Sequence, residues 1–574
     1  MTEKLVCFFF NILPFLLIGQ VGPGGVLDNT NNVFWVKADA GVYNDVGTTL
    51  ATNTQNIRQW NDYSGNSKHF SETMSMQQPM FITNSINGFP VVRFDGNNDR
   101  LSNLTITSGN TANFFTVIRY SSLPNPNPGI FQGSPSGSLL SSGANDKAVG
   151  MWISNANKPW GRGIQSNNAV KNIPAAATTS ANTSYIIENE YSGVSVNQYV
   201  NASISGSVNH DGSLKSWTEF SIGRQAGETW AGDIAEVIAF NTNINLAQRN
   251  IVYNYLSAKY NIAISASADL YNGDSGAKGN YDFEVGGIGQ SSAGNINNSF
   301  STSVSGGVGI SYVSGFQDGD YILAGHNLKT GNTMQVVDCG GMTGVQNQRW
   351  SRIWCVDITD VGPQIITDVS FDMSDGGLLG VVSTNPSNYV LLNRMGVSGN
   401  WSESIIVPTI SGDKVTFSGV SLLDGYYTLG VKDENAIVLP IQLISFIAKK
   451  VNNNVLVSWK TATEINNDYF TIERSFDGQH FTPVTRLNGA GNSTQLITYS
   501  VEDKDFVNGL NYYKLIQTDY DGNETVSDII AIDMTHKSEI KIKTVNLFGQ
   551  EVNEHFTGIV YDVYSDGSLV KRIQ

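Results

Sequence analysis

The apolar positions fall in short runs, each about the length of one strand, separated by Gly, Asn and Ser. Val33-Phe34-Trp35-Val36, Val91-Val92-Arg93-Phe94, Phe114 to Tyr120 and Ile234 to Phe240 are such runs. Strand-length runs with turn signals at regular spacing predict an all-β sandwich or jelly roll. One segment breaks the pattern. Asn245 precedes Leu246-Ala247-Gln248, a start of the capping-box kind, and Ile251, Val252, Tyr255, Leu256 and Tyr260 follow helical spacing. The pattern predicts a single helix ending near Tyr260-Asn261, with one apolar face packed on the first sheet.

Beyond the helix the strand pattern resumes. A Gly/Ser/Asn-rich stretch from Ser265 leads into a second β region, with strands such as Tyr321 to Ala324, Trp350 to Val356, Val369 to Phe371, Tyr389 to Leu392 and Tyr426 to Val431. Lys432-Asp433-Glu434-Asn435 has the composition of a linker. A third β unit of about 100 residues follows to Met534, and His536 to Gln574 forms a short strand-like tail, too small to bury a large core alone. The expected organisation is therefore residues 1–19 as a leader, 20–264, 265–434, 435–535, and 536–574. The leader reading rests on Leu5 to Ile18, a nearly continuous apolar run after Lys4. It is short for a membrane span, interrupted by Pro14, and of the secretory signal type. No later stretch is long enough to span a bilayer, so no transmembrane anchor is expected in the mature chain.

Composition narrows the function classes. Charged residues are only 15% of the 574 and glycine numbers 58, which suits strands and turns rather than coiled coils. The formal charge is −16 with no basic run, so nucleic acid is not an expected partner. Once Cys7 leaves with the leader, Cys339 and Cys355 remain. An even pair in an exported chain fits one disulfide, and two buried thiols fit the same letters.

Three resemblances attach to specific residues. Phe34 to Val42, Gln59-Trp60-Asn61-Asp62-Tyr63-Ser64-Gly65-Asn66, Val92 to Gly96 and Trp230 to Ile238, running into the helix, resemble the laminin-G/concanavalin-like jelly rolls of large secreted bacterial proteins. Arg349 to Trp354 and Asp360-Val361-Gly362 resemble an uncharacterised β domain that follows such jelly rolls. Leu439-Pro440-Ile441, Val457-Ser458-Trp459, Ile472 to Gly478 and Asn511 to Leu515 resemble a fibronectin type III-like module. Val545 to Val552, with Lys571-Arg572 near the end, resembles a shortened sorting signal of the type IX secretion system. These resemblances imply an exported protein, secreted or held on the outer cell surface, with the type IX machinery as a partner.

The chemistry-bearing motifs leave few candidates. The six histidines are isolated, which excludes a two-histidine metalloprotease site, and Gly133-Ser134-Pro135-Ser136-Gly137 carries Pro where a nucleophile elbow cannot. Retaining glycoside hydrolysis needs two carboxyls about 5–5.5 Å apart. Glu188 and Glu190 are the best pair, alternate on one strand; Asp282 and Glu284 are a second. Asp233 and Glu236, three apart, are expected to face opposite ways. A solvated strand face gives the same letters. Asp95, Asn97 and Asp99 alternate like the first ligands of a calcium loop, but Arg100 and Ile106 replace the Gly and Glu of an EF-hand, and a plain turn also fits. Calcium is the one cofactor this pattern allows. Carbohydrate binding uses exposed aromatic rings flanked by polar groups, and Trp152, Trp160, Arg162 and Trp217 are the candidates, whereas Trp35, Trp459 and Trp230 belong in the core. The expected function is binding of a glycan or another cell-surface ligand. A glycan-active enzyme and a purely structural adhesin stalk are the alternatives.

Overall fold

The computed structural model describes residues 22–574 except 123–126, 139–146, 175, 211, 226–227, 293, 302–305, 328–332, 337, 345–346, 361, 363, 379–384, 433–442, 452–453, 462–463, 494–495, 521–523, 535–540 and 566–568. The expected leader lies outside the described residues, as does most of the expected linker. The chain is 52% strand and 5% helix, with β-sandwich sheets in tandem. It divides into two compact units, the division falling at Ala436/Ile437.

The first unit begins with a two-sheet sandwich. One sheet runs, in spatial order, Ser203–Asn209, Ser195–Val200, Ser184–Tyr191, Ala112–Tyr120, Ala231–Phe240, Phe89–Asp95 and Met80–Ile86, with Asn32–Lys37 also paired to Ala231–Phe240. The facing nine-stranded sheet includes Pro159–Ile164, Val149–Ile153, Gly129–Ser134, Glu219–Ile222 and Leu101–Asn103. Alternate residues of both sheets meet in a core that holds Phe34, Phe114, Phe131, Trp217 and Phe220. Phe114 and Phe220 stack at 5.6 Å.

The first sheet is buried on its outer face too. Trp35, Phe115, Val117, Ile186 and Ile238 form a second core with Ile251, Val252, Tyr255 and Leu256 of the helix Leu246–Tyr260, called α1. This explains why Ala112–Tyr120 is apolar at both odd and even positions: a strand covered on both faces loses the alternation of a half-solvated one. Helix α1 starts as its sequence predicts. Asn245 Oδ1 accepts from the Gln248 amide at 3.0 Å, and the Gln248 side chain accepts from the Asn245 amide at 3.0 Å. It ends at Asn261, whose φ of 50° is left-handed. The expectation of a single apolar face needs correction. Every residue from Ala247 to Tyr260 is buried, because a further sheet packs on the other side of α1. That sheet contributes Val285, Tyr321 and Leu323 to the same core, and Asn250 Nδ2 donates to the Tyr321 hydroxyl at 3.1 Å.

This further sheet has nine strands, with Phe283–Ser292, Asp320–His326, Trp354–Thr359 and Gly425–Val431 consecutive. A five-stranded sheet accompanies it, centred on Val308–Ser314, Ile366–Asp372 and Lys414–Val420. Cys355 sits on Trp354–Thr359 in a buried cluster with Tyr281, Ile353 and Tyr426. Cys339 lies in a loop with its Sγ 3.5 Å from the Gln335 carbonyl. Both are free cysteines, which is the second of the two readings the sequence allowed, and no disulfide joins them in this structure. Burial pushes the Cys355 thiol up to about 12.

The second unit contains sheets of three and five strands, centred on Asn454–Thr461 and on Glu464–Ser475 with Leu510–Asp519. Their core is Val455, Val457, Trp459, Phe470, Ile472, Tyr513 and Leu515. The Tyr513 hydroxyl donates to Asp503 at 2.7 Å, and Asp503 also takes Arg474 at 2.7 Å. Lys541–Asn546, Ile559–Tyr564 and Leu569–Ile573 form a last, small sheet.

Candidate functional site

The four residues expected to bind ligand separate into two groups. Trp217 is fully buried in the first core against Phe114, at 5.1 Å between centroids, and is therefore no ligand residue. The other three come together on the outer face of the nine-stranded sheet of the first sandwich. Strands Val149–Ile153 and Pro159–Ile164 are antiparallel neighbours with Trp152 opposite Trp160. Their inward positions are Met151, Gly161 and Gly163, and a Cβ at either glycine would run into Asn189 or Tyr191. That register turns Trp152, Trp160 and Arg162 outward together.

The two indoles stack at 4.5 Å with 12° between planes. Trp152 is the lower ring and has no exposed surface. Trp160 covers it and keeps part of its own surface open. The Arg162 guanidinium carbon stands 5.6 Å from the Trp152 centroid and 5.8 Å from that of Trp160, while Arg162 Nε donates to Asn172 at 2.8 Å. Burial draws the Arg162 pKa below its ordinary value, against the pull of Glu228. Underneath, Trp152 Nε1 and Lys147 Nζ both donate to Glu228, at 2.7 and 2.9 Å. The result is a flat indole face of fixed orientation edged by a cation, with hydrogen-bonding groups beside it. Such a surface can cover the apolar face of a ring while its edge groups hold polar substituents.

The carboxylate pair is a different matter. Glu188 and Glu190 share one strand face, as their spacing requires, but that face is the one beneath α1. Glu188 has no exposed surface. Its two oxygens take Arg249 Nε and Nη2, both at 2.8 Å, together with Asn113 Nδ2 at 2.6 Å and the Tyr253 hydroxyl. Glu190 accepts from Asn197 at 2.8 Å and Tyr199 at 3.0 Å, and Arg249 lies 3.5 Å away. No substrate bond can reach carboxyls placed like this, so the glycosidase assignment of Glu188 and Glu190 is overturned. The pair ties the helix to the sheet.

The expectation for Asp233 and Glu236 also changes. A β-bulge between Ile234 and Glu236 inserts one residue into the alternation, so both carboxylates emerge on the outer face. Glu236 accepts from Trp35 Nε1 at 2.6 Å, the Tyr255 hydroxyl at 2.8 Å, Lys259 Nζ at 2.9 Å and the Tyr260 hydroxyl at 2.7 Å. Asp233 takes Arg93 and Arg119, each at 2.7 Å. Neither motif was visible as a network in the sequence, because its partners stand up to 201 residues apart.

Asp95, Asn97 and Asp99 form a tight turn. Asp95 Oδ1 accepts from the amides of Asn97 and Asn98, at 2.8 and 3.3 Å, and Asp99 Oδ2 accepts from the Asp95 amide at 2.9 Å. Among the described residues no three His, Cys, Asp or Glu side chains group to hold a metal ion, and no helix is long and apolar enough to cross a membrane.

Comparison with known proteins adds the following. A family model described as a domain of unknown function, DUF8202, matches residues 248–426. No curated protein matches the chain. Among solved structures, domain 4 of AbnA, a GH43 extracellular arabinanase from Geobacillus stearothermophilus in complex with arabinotriose, is 10% identical. The match covers 39% of this chain and 97% of that one, at a TM-score of 0.27. Trypanosoma rangeli sialidase with the inhibitor DANA is 11% identical over 41% of this chain and 34% of its own, at 0.28. The match thus spans about a third of the sialidase chain. The receptor binding domain of botulinum neurotoxin type G is 11% identical over 75% of this chain and 85% of its own, also at 0.28. Similarity of this degree transfers neither ligand nor activity.

Proposed function

We propose that this chain is an exported, non-catalytic glycan-binding protein of the outer cell surface or the medium, and that the indole face of the first sandwich is its ligand surface. One observation carries the reading: Trp160 lies flat on a fully buried Trp152, with Arg162 and Asn172 at its edge. A ring held this way has lost its rotamer freedom before any ligand arrives, so binding costs little further ordering. The sandwich of the second unit then serves as a spacer, and the last small sheet as the address read by the type IX machinery. That part of the reading rests on the sequence resemblances.

The test is retention on a panel of immobilised polysaccharides, scored together with new reducing ends. Trp160→Ala is expected to lower the affinity of the retained glycan about tenfold, or roughly 1.4 kcal/mol, with an unchanged unfolding profile. Retention equal to the parent's, or the release of reducing ends, overturns the proposal.

A further inference from the structure

An open cleft of about 620 Å³ lies at one end of the first sheet, and none of its lining residues belongs to the indole face. The volume falls within the range of small-ligand sites, roughly 300–1,000 Å³. Its walls are the ends of strands Phe89–Asp95 and Ala112–Tyr120 and the start of Ala231–Phe240, and its rim carries Met76, Gln78 and Asn182.

Three features of the lining point to the same kind of ligand. Asp99 is 7% exposed and faces the cleft. One of its oxygens takes the Asp95 amide, and the other has no donor among the described residues. Burial pushes this carboxyl up to about 7. That second oxygen is open to the cleft, so a ligand hydroxyl can donate to it in place of water. Arg93 supplies the complement. Its Nε and Nη2 hold Asp233 at 2.7 and 3.1 Å, while Nη1 has no acceptor among the described residues and the side chain is 46% exposed. Asp233 is 3% exposed and also held by Arg119, so the guanidinium direction is fixed. Finally, Met76 is 82% exposed on the rim with Met80 beside it, which gives adaptable apolar contact.

The charge balance selects among ligands. Two arginines meet three aspartates, which leaves −1 at most and zero when Asp99 is protonated. Neither a strong anion nor a cation is favoured. A free acceptor and a free donor lining one cleft suit a ligand rich in hydroxyls, one donating to Asp99 and another accepting from Arg93. We propose that the cleft is a second carbohydrate site, taking a single neutral sugar unit through its hydroxyls. It shares the ligand class of the proposed function but none of its residues.

The experiment uses the full chain and ligand-observed NMR saturation transfer, with the neutral methyl glycosides of glucose, galactose and mannose as probes. Calcium chloride alone is titrated in parallel. The variants are Ser122→Trp, which fills the cleft from an exposed position, Asp99→Ala and Trp160→Ala. The expected result is transfer to at least one glycoside in the parent and in Trp160→Ala, reduced at least fivefold in Ser122→Trp and Asp99→Ala. The inference is overturned if no glycoside responds, if Ser122→Trp leaves the signal intact, or if calcium binds and Asp99→Ala abolishes its binding. Loss in Trp160→Ala alone would leave the indole face standing and remove the cleft.

Discussion

A carboxyl with too few donors reports its surroundings through pH. Asp99 is held up to about 7, mainly by burial and secondarily by the nearby charge of Asp95, while its hydrogen bond from the Asp95 amide pulls the other way. In the unfolded chain it titrates near 3.9. The folded state therefore binds the proton more tightly. Its contribution to stability is fully present below about pH 4 and is lost as pH rises through 7. Asp99→Asn keeps an oxygen for the Asp95 amide and removes the ionisation. It should match the parent near pH 4 and exceed it at pH 8 by about 1–2 kcal/mol after solvent screening, as read by unfolding midpoints at the two pH values. At this scale the sequence was legible where one residue's neighbours decide its fate. Trp35 and Trp459 were core because their strands are apolar. It was not legible where a distant residue decides. Trp217 sits among the same kinds of letters as Trp160, but it lies just outside the strand Glu219–Ile222 and packs against Phe114 in the core. Glu188 reads as a surface carboxylate until Arg249, 61 residues on, is folded against it.

Helix α1 shows the same division among elements. Its start and end follow from Asn245, Gln248 and Asn261, all local signals, and the structure reproduces them. Its burial on all sides does not follow from its own periodicity, since Arg249, Asn250, Asn254 and Lys259 read as a solvated face. Each of these is satisfied by a partner on a neighbouring layer or along the helix: Arg249 by Glu188, Asn250 by Tyr321, Asn254 by the Ala268 carbonyl and Lys259 by Glu236 and Asp39. Removing one member of a buried ion pair strands the other, at about 3–5 kcal/mol. Glu188→Gln is accordingly expected to lower stability by an amount of that order while leaving glycan retention intact in whatever fraction remains folded. Chemical denaturation together with the retention assay checks both halves. A loss of retention without a loss of stability would restore a binding role to this carboxyl. The β-bulge at Ile234–Glu236 is the other element-scale feature that strand alternation could not foretell. Without it Glu236 would point into the apolar core.

At the scale of the whole molecule, the sandwich pattern was visible throughout, but not which sandwiches share a core. The sequence suggested a boundary near residue 264. The structure keeps one apolar cluster running across that point, from Trp35 and Phe115 through α1 to Tyr321 and Leu323. A fragment of residues 22–264 should therefore expose the outer side of α1 and aggregate, whereas 22–436 should unfold in one cooperative transition. Light scattering and calorimetry on the two fragments decide it, and a monomeric, cooperatively folding 22–264 would show the shared cluster to be dispensable.

The position of α1 between two sheets also bears on how such chains can be put together. The matching family model covers 248–426, so it starts inside the helix rather than after it. A helix with one neighbour on each side belongs to both. Exchange of either sandwich for a foreign one would have to bring along a surface that fits the retained side of α1, including a carboxylate for Arg249 or a hydroxyl for Asn250. The inheritable module is thus longer than either sandwich, and its seams are expected in the loops on the far sides of the pair, where a cut severs chain but no shared core.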